Sequence, residues 1–249
     1  MIIGIYGFGR FGQFLAETIT KYHTVVAYSR SDYSDIAQEF NVIYCKSINN
    51  FFKYKMDVLI IAVSILSFEN VLITLKPYYK NISDTLIVDV LSVKMHAENM
   101  IKKYIPLNLY NIDYLATHPM FGPDSGWENN YMVYSPIRCN NLERISKFLD
   151  IFKEKKCKLI LLNSEEHDKY CAESQFITHL TGRILGDLNL KDTPINTQGY
   201  NNLLNLIKNT CNDNFDLFNG LYKYNSESKE WLKKLRISLD NIEKKLECK

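Results

Sequence analysis

Gly7-Phe8-Gly9-Arg10-Phe11-Gly12 stands directly after an apolar run, Ile2–Tyr6, and opens a stretch whose apolar residues, Phe11, Phe14, Leu15 and Ile19, recur at helical spacing. No other feature constrains the fold of this chain as much. In a strand–glycine turn–helix unit the first glycine makes the tight turn, the second lets backbone approach a pyrophosphate, and the third lets the helix pack on the strand. The helix N-terminus then offers unpaired N–H groups and the positive end of its dipole to phosphates. Such a motif is weak alone; the strand before it, the helix after it and a further strand-like run at Thr24–Tyr28 give it the context of a dinucleotide-binding unit.

The same alternation continues. Val58–Ala62, Thr85–Asp89, Tyr114–Thr117 and Lys158–Leu162 read as strands, with helical patterns at Leu66–Leu75 and Leu142–Phe152. Strand and helix in alternation predict an α/β fold, a doubly wound parallel sheet of the Rossmann type covered on both faces. After Asn163 the strand signal nearly stops, and four helices are predicted, at about 164–189, 197–210, 213–224 and 226–247. The chain therefore divides, on its sequence, into a nucleotide-binding domain over 1–162 and a helical domain over 163–249, with the chemistry expected where they meet. Trp231, Leu235, Leu239, Ile242 and Leu246 give the last helix an apolar face, which predicts a homodimer through the C-terminal helices.

The balance of 30 Lys and Arg against 28 Asp and Glu gives a formal charge of +2. That argues against nucleic acid or a membrane surface as a partner, since such binders gather a basic excess. No apolar run is long enough to span a bilayer. The chain opens almost at once on a strand, so no targeting segment is expected and the location expected is cytoplasmic. The six cysteines, Cys45, Cys139, Cys157, Cys171, Cys211 and Cys248, are scattered and predict reduced thiols.

The end of the second strand reads Ala27-Tyr28-Ser29-Arg30-Ser31-Asp32. An NAD site places Asp or Glu there for the ribose hydroxyls. Here Arg30 offers a planar fork to a 2′-phosphate, and Ser29 and Ser31 offer hydroxyls, so NADP is the cofactor expected. Asp32 serves the ribose instead if the strand runs further. The cofactor site is thus assigned to Gly7, Phe8, Gly9, Arg10, Phe11, Gly12, Ser29, Arg30, Ser31 and Val63, the last from a segment that falls beyond a strand end.

Ligands of an open α/β sheet sit beyond the carboxyl ends of its strands. Asp89-Val90-Leu91-Ser92-Val93-Lys94 and Thr117-His118-Pro119-Met120-Phe121-Gly122-Pro123 fall there. His118 is held by a stiff proline-bracketed turn, and a neutral imidazole can take a proton from a hydroxyl while hydride leaves the same carbon. A histidine merely satisfied by backbone is the alternative. Gln175, His179 and Arg183 recur every four residues as a polar stripe beside the apolar Phe176, Leu180, Ile184 and Leu188. Turned inward the stripe suits an anion; turned outward it is solvated surface. No metal is expected: apart from His167 and His179, which lie about 120° apart around the helix, no two His or Cys are read as sharing a ligand spacing. His167-Asp168 is read as a structural cap of its helix.

Taken together, Gly7–Gly12, Tyr28-Ser29-Arg30-Ser31-Asp32-Tyr33, Ser92-Val93-Lys94, His118–Pro123, His167-Asp168-Lys169-Tyr170, Ser174–His179 and Pro194-Ile195-Asn196-Thr197 resemble the arogenate/prephenate dehydrogenase family of tyrosine biosynthesis, its plant-type branch most of all. The resemblance runs over essentially the whole chain. It implies NADP-dependent oxidative decarboxylation of a cyclohexadienol, with His118 matching the histidine that receives the hydroxyl proton and Ser92 the serine that orients the pair. Gln175, His179 and Thr197 match pocket residues. Two departures from the wider family matter. Gly199-Tyr200 is followed by Asn201 rather than leading to the bacterial carboxylate-binding arginine, which leaves Lys94 and Arg183 as candidates for that task. Asn205 replaces the acidic residue that suits the ammonium of arogenate, which tilts the expectation toward prephenate. Rival readings are another two-domain hydroxyacid dehydrogenase, and a non-catalytic dinucleotide-sensing module that would need neither His118 nor Ser92.

Overall fold

The computed structural model describes residues 1–247, so Cys248 lies outside the described residues. It comprises two compact units, Met1–Ser164 and Glu165–Lys249.

The first unit is an eight-stranded sheet. Its elements run β1 (Ile2–Tyr6), α1 (Arg10–Ile19), β2 (Thr24–Tyr28), α2 (Ser34–Glu39), β3 (Ile43–Cys45), α3 (Ile48–Phe51), β4 (Val58–Ile61), α4 (Ile65–Thr74), β5 (Leu86–Asp89), α5 (Lys94–Tyr104), β6 (Asp113–Pro119), β7 (Tyr131–Arg138), α6 (Leu142–Glu154) and β8 (Lys158–Leu161). The strand order is β3-β2-β1-β4-β5-β6-β7-β8, so the order reverses between β1 and β4, where such sheets open a ligand crevice. Strands β1 to β6 are mutually parallel, as the alternating sequence predicts. The departure from an all-parallel sheet is β7, which pairs antiparallel to β6, and with it β8, which runs parallel to β7.

Two strands escape the sequence pattern for physical reasons. β3 is only three residues long. β7 contains Pro136, which cannot donate to a ladder and normally marks an edge or a bulge. Here it lies beside a bulge, where the register with β6 passes from Tyr114↔Arg138 to Leu115↔Pro136. The central strands are buried on both faces. On one side Ile3, Ile5, Val25, Val58, Ile60 and Val88 pack against Phe8, Leu15 and Ile19 at α1 and Phe148 and Phe152 of α6.

The second unit is helical: α7 (Ser164–Cys171) runs through a π-helical turn, Ala172–Phe176, into α8 (Ile177–Asp187), followed by α9 (Gln198–Asn212), α10 (Phe215–Tyr224) and α11 (Ser226–Glu247). Helix α8 lies close on α9 because its facing residues are glycines. A Cβ on Gly182 would meet Thr210 Oγ1 at 2.1 Å, and one on Gly186 would meet Cys211 Sγ at 2.9 Å. Phe176 stacks on Phe218 and Tyr222. Leu239, Ile242 and Leu246 of α11 are exposed in the single chain. No helix among the described residues is long and apolar enough to cross a membrane.

Candidate active site

The glycine turn occupies the point where the strand order reverses. Gly7 has φ +105°, and a Cβ there would lie 2.3 Å from the Ala62 carbonyl oxygen and 2.8 Å from Val63 Cγ1. A Cβ on Gly12 would lie 2.2 Å from the Gly7 carbonyl oxygen, so the third glycine is required by the approach of α1 to the turn. Gly9 is different: nothing lies within 4 Å of its would-be Cβ. It is the N-cap of α1, with no side-chain cap and no acidic residue in the first turn. The cradle therefore keeps open space above a glycine and leaves amide donors and the positive dipole end uncompensated, which fits the pyrophosphate of a dinucleotide. Arg10, beside it, pairs with Asp124 at the surface. Phe8 is buried and contacts Tyr33 and Tyr44, so its side chain supports the turn from below, and Phe11 packs on Phe14.

Beyond β2, Ser29 is half-buried and Arg30 and Ser31 are exposed. Arg30 borders an open cavity of about 460 Å³ lined also by Tyr6, Tyr28, Ile48, Ile73, Thr74, Pro77 and Tyr78. Asp32 is already engaged. Its Oδ1 accepts from the Ser34 N–H at 2.9 Å and from the Ser34 hydroxyl, and its Oδ2 lies 3.3 Å from Lys46 Nζ. The hydrogen bonds from Ser34 are the main reason its carboxyl is held below the ordinary range.

At the carboxyl ends of β5 and β6, Ser92 is half-buried and His118 is 3% exposed. Lys94 does not have the role expected of it. It is fully buried, its ammonium donating to Asp89 Oδ1 and to the Thr117 carbonyl oxygen, so its charge is spent inside the unit rather than held out to a substrate carboxylate. Sequence reasoning passed over Asp89 as its partner, because the pairing depends on the turn that brings α5 back over β5.

In the helical unit Gln175 lies in the π turn and His179 and Arg183 lie on α8. Gln175 Oε1, His179 Nδ1 and Arg183 Nε are each buried without a hydrogen-bond partner among the described residues. A run of unsatisfied buried polar atoms on one stripe is costly unless something pairs with them. Asp213, which the sequence did not single out, closes the stripe: its Oδ2 is 3.7 Å from His179 Nε2 and its carbonyl oxygen accepts from Arg183 Nη2 at 2.8 Å. Burial is the first cause that lowers the His179 pKa, with Arg183 adding to it and Asp213 opposing it. The Arg183 guanidinium also stacks on Phe215 and Phe218, so it too is largely committed. Thr197 is the N-cap of α9, its hydroxyl oxygen accepting from the Tyr200 N–H at 3.2 Å, and Asn205 is exposed two turns later.

His167 and Asp168 of α7 are buried. His167 Nδ1 lies 2.8 Å from Asp168 Oδ1 and its Nε2 lies 3.2 Å from Cys171 Sγ. This corrects the expectation that no further His or Cys pair shares a close helical spacing: one turn of α7 brings these two together.

A family model described as prephenate dehydrogenase, nucleotide-binding domain, matches residues 13–161, and one described as TYRAAT1-like, C-terminal domain, matches residues 184–249. The chain is 43% identical over 252 residues to arogenate dehydrogenase 1, chloroplastic, of Arabidopsis thaliana, covering 98% of this chain and 39% of that protein. It is 40% identical to arogenate dehydrogenase 2, chloroplastic, of the same plant, covering 98% of this chain and 69% of that protein. It thus spans well under half of the first relative's length. Among solved structures, prephenate dehydrogenase from A. aeolicus in complex with hydroxyphenyl propionate and NAD+ superposes with a TM-score of 0.71 at 16% identity, over 98% of this chain and 90% of that one. Synechocystis arogenate dehydrogenase gives 0.70 at 16% identity, over 99% and 92%. At these identities the structures speak to the fold.

Proposed function

This chain belongs to the arogenate/prephenate dehydrogenase family, and on that premise we propose that it oxidatively decarboxylates prephenate or arogenate, yielding 4-hydroxyphenylpyruvate or tyrosine, with NADP as its dinucleotide. The observation that carries the reading is His118, buried at the carboxyl end of β6, in the same sheet as the glycine cradle and three strand steps from β1. At about 4.8 Å per strand that separation is roughly 14 Å, a distance suited to an extended dinucleotide whose pyrophosphate lies on Gly7–Gly12.

In this mechanism His118 accepts the proton of the substrate's ring hydroxyl, and Ser92 orients that hydrogen bond. The dinucleotide, when bound, supplies the acceptor for the hydride that leaves the carbinol carbon. The electron pair of the breaking C–C bond enters the ring, the ring carboxylate departs as CO₂, and the product is aromatic. Aromatisation supplies driving force, so the protein's work is to align hydroxyl and base and to exclude water. Gln175, His179 and Thr197 are the substrate-binding residues of the helical unit in this reading, the unpartnered atoms of the first two being suited to polar groups of a ligand.

Arg30, with Ser29 and Ser31, is the 2′-phosphate site in this reading, supported by the prior engagement of Asp32 with Ser34 and Lys46. Asn205 tilts substrate choice toward prephenate. A second copy of the chain is the partner that would cover Leu239, Ile242 and Leu246. The test is His118→Asn: dinucleotide affinity is expected to persist while kcat falls by roughly 10²–10⁴, the usual weight of a general base. Near-wild-type turnover would sink the assignment.

A further inference from the structure

Asp89 and Lys94 form an ion pair with both side chains at most 1% exposed. Burying two charges is expensive, and apolar residues of similar volume often serve stability as well or better. The contacts of the pair suggest a geometric role instead. Asp89 Oδ1 accepts from Lys94 and from the Leu91 N–H, the latter at 3.0 Å. Its Oδ2 accepts from the Tyr114 hydroxyl at 2.8 Å, and its carbonyl oxygen accepts from the Thr117 hydroxyl. The Lys94 ammonium donates a further bond to the Thr117 carbonyl oxygen. Leu91 directly precedes Ser92, and Thr117 directly precedes His118.

The ladder between β5 and β6 ends at the pair Asp89↔Ala116. Beyond it the two chains diverge, one to the loop bearing Ser92, the other to His118. Contacts of the ion pair continue the connection past the end of that ladder, fastening the backbone immediately before each residue to one buried point. We propose that Asp89 and Lys94 are positioning residues that hold Ser92 and His118 in fixed register, so that hydroxyl, serine and imidazole meet the substrate in one geometry. This rests on the reading of His118 as proton acceptor. A charged pair suits the task because it collects donors and acceptors from three segments, and side chains locked in such a network hold a site more tightly than loops do.

The experiment compares wild type, His118→Asn, Tyr114→Phe and the double variant Asp89→Asn with Lys94→Met, which removes the Lys94 bond to the Thr117 carbonyl oxygen and both charges of the pair together. Each is measured for kcat at saturation and for NADP Kd by protein fluorescence. The double variant is expected to keep Kd within threefold of wild type while kcat falls at least thirtyfold, a split that a general loss of structure would not give. A kcat within threefold of wild type, or kcat and affinity lost together in a folded protein, overturns the proposal. Should the double variant not fold, Tyr114→Phe decides: it removes one oxygen, and a three- to tenfold loss of kcat at unchanged Kd is expected, whereas an unchanged kcat overturns the idea. Failure of the underlying reading is separate, since it would appear as an inactive wild type or an active His118→Asn.

Discussion

His179 Nε2 stands 3.7 Å from an Asp213 carboxylate oxygen while its Nδ1 is buried without a partner among the described residues. Burial disfavours the imidazolium, and the neighbouring Arg183 adds to this, more than Asp213 restores it.

The direction of that shift sets a pH dependence. With its folded pKa below the unfolded value of about 6.5, His179 takes up its proton more readily in the unfolded chain. Its contribution to stability is therefore fully present above pH of about 6.5 and is lost as pH falls through the window below it. Urea unfolding at pH 7.5 and 5.5 should show wild type losing more stability on acidification than His179→Gln. Equal losses would mean that the imidazole does not titrate differently on folding.

The glycines of the turn separate structure from ligand binding. Gly12→Ala forces a Cβ to 2.2 Å from a backbone carbonyl, an overpacking expected to cost about 2 kcal/mol, or roughly 4–8 °C in melting temperature for a chain of this size. Gly9→Ala meets nothing in the protein and loses only the capping preference of glycine over alanine, up to about 1 kcal/mol. Its expected cost falls on dinucleotide affinity, at tenfold or more by titration. A Gly9→Ala protein that binds NADP as wild type does would show that the open space is not the phosphate site.

What was legible in the sequence follows from what periodicity and local motifs encode. Strands buried on both faces, such as Val58–Ile61, announce themselves as β-branched runs, and the glycine turn is legible because its spacing stands between a strand run and a helical pattern. β7 was hidden by Pro136, which only the bulge beside it makes admissible. Lys94 was misread because a lysine in the segment beyond a strand end looks available until the turn brings Asp89 under it. Asp213 lies between two helices, where no pattern marks it, and becomes visible only once α8 and α9 pack through Gly182 and Gly186.

Cofactor choice is testable at two residues of the segment after β2. Arg30→Ala should raise the KM for NADP at least tenfold and that for NAD far less, because only the former carries the phosphate that the guanidinium would meet. Asp32→Ala should leave the KM for NAD within about twofold, since Ser34 and Lys46 already hold the carboxylate. A large rise with NAD would mean that Asp32 exchanges these partners for the ribose.

In the proposed reading Asn205 is the residue that tilts the choice between substrates. Prephenate ends in a keto acid and arogenate in an amino acid, so the two differ where one presents a carbonyl and the other an ammonium. A neutral carboxamide can donate to the carbonyl, whereas a carboxylate would pair with the ammonium through a charge-assisted bond of about 1.5–3 kcal/mol, roughly 10- to 100-fold in relative kcat/KM. Asn205→Asp adds that charge at an exposed position of α9, where the helix bears little desolvation cost. The ratio of kcat/KM for arogenate over prephenate should therefore rise by about tenfold or more at pH 7.5, with the change shrinking as the new carboxylate is protonated near pH of about 4. A ratio that stays the same would move the discrimination away from α9, and Asp213, the acid already beside His179, would be the next residue to substitute.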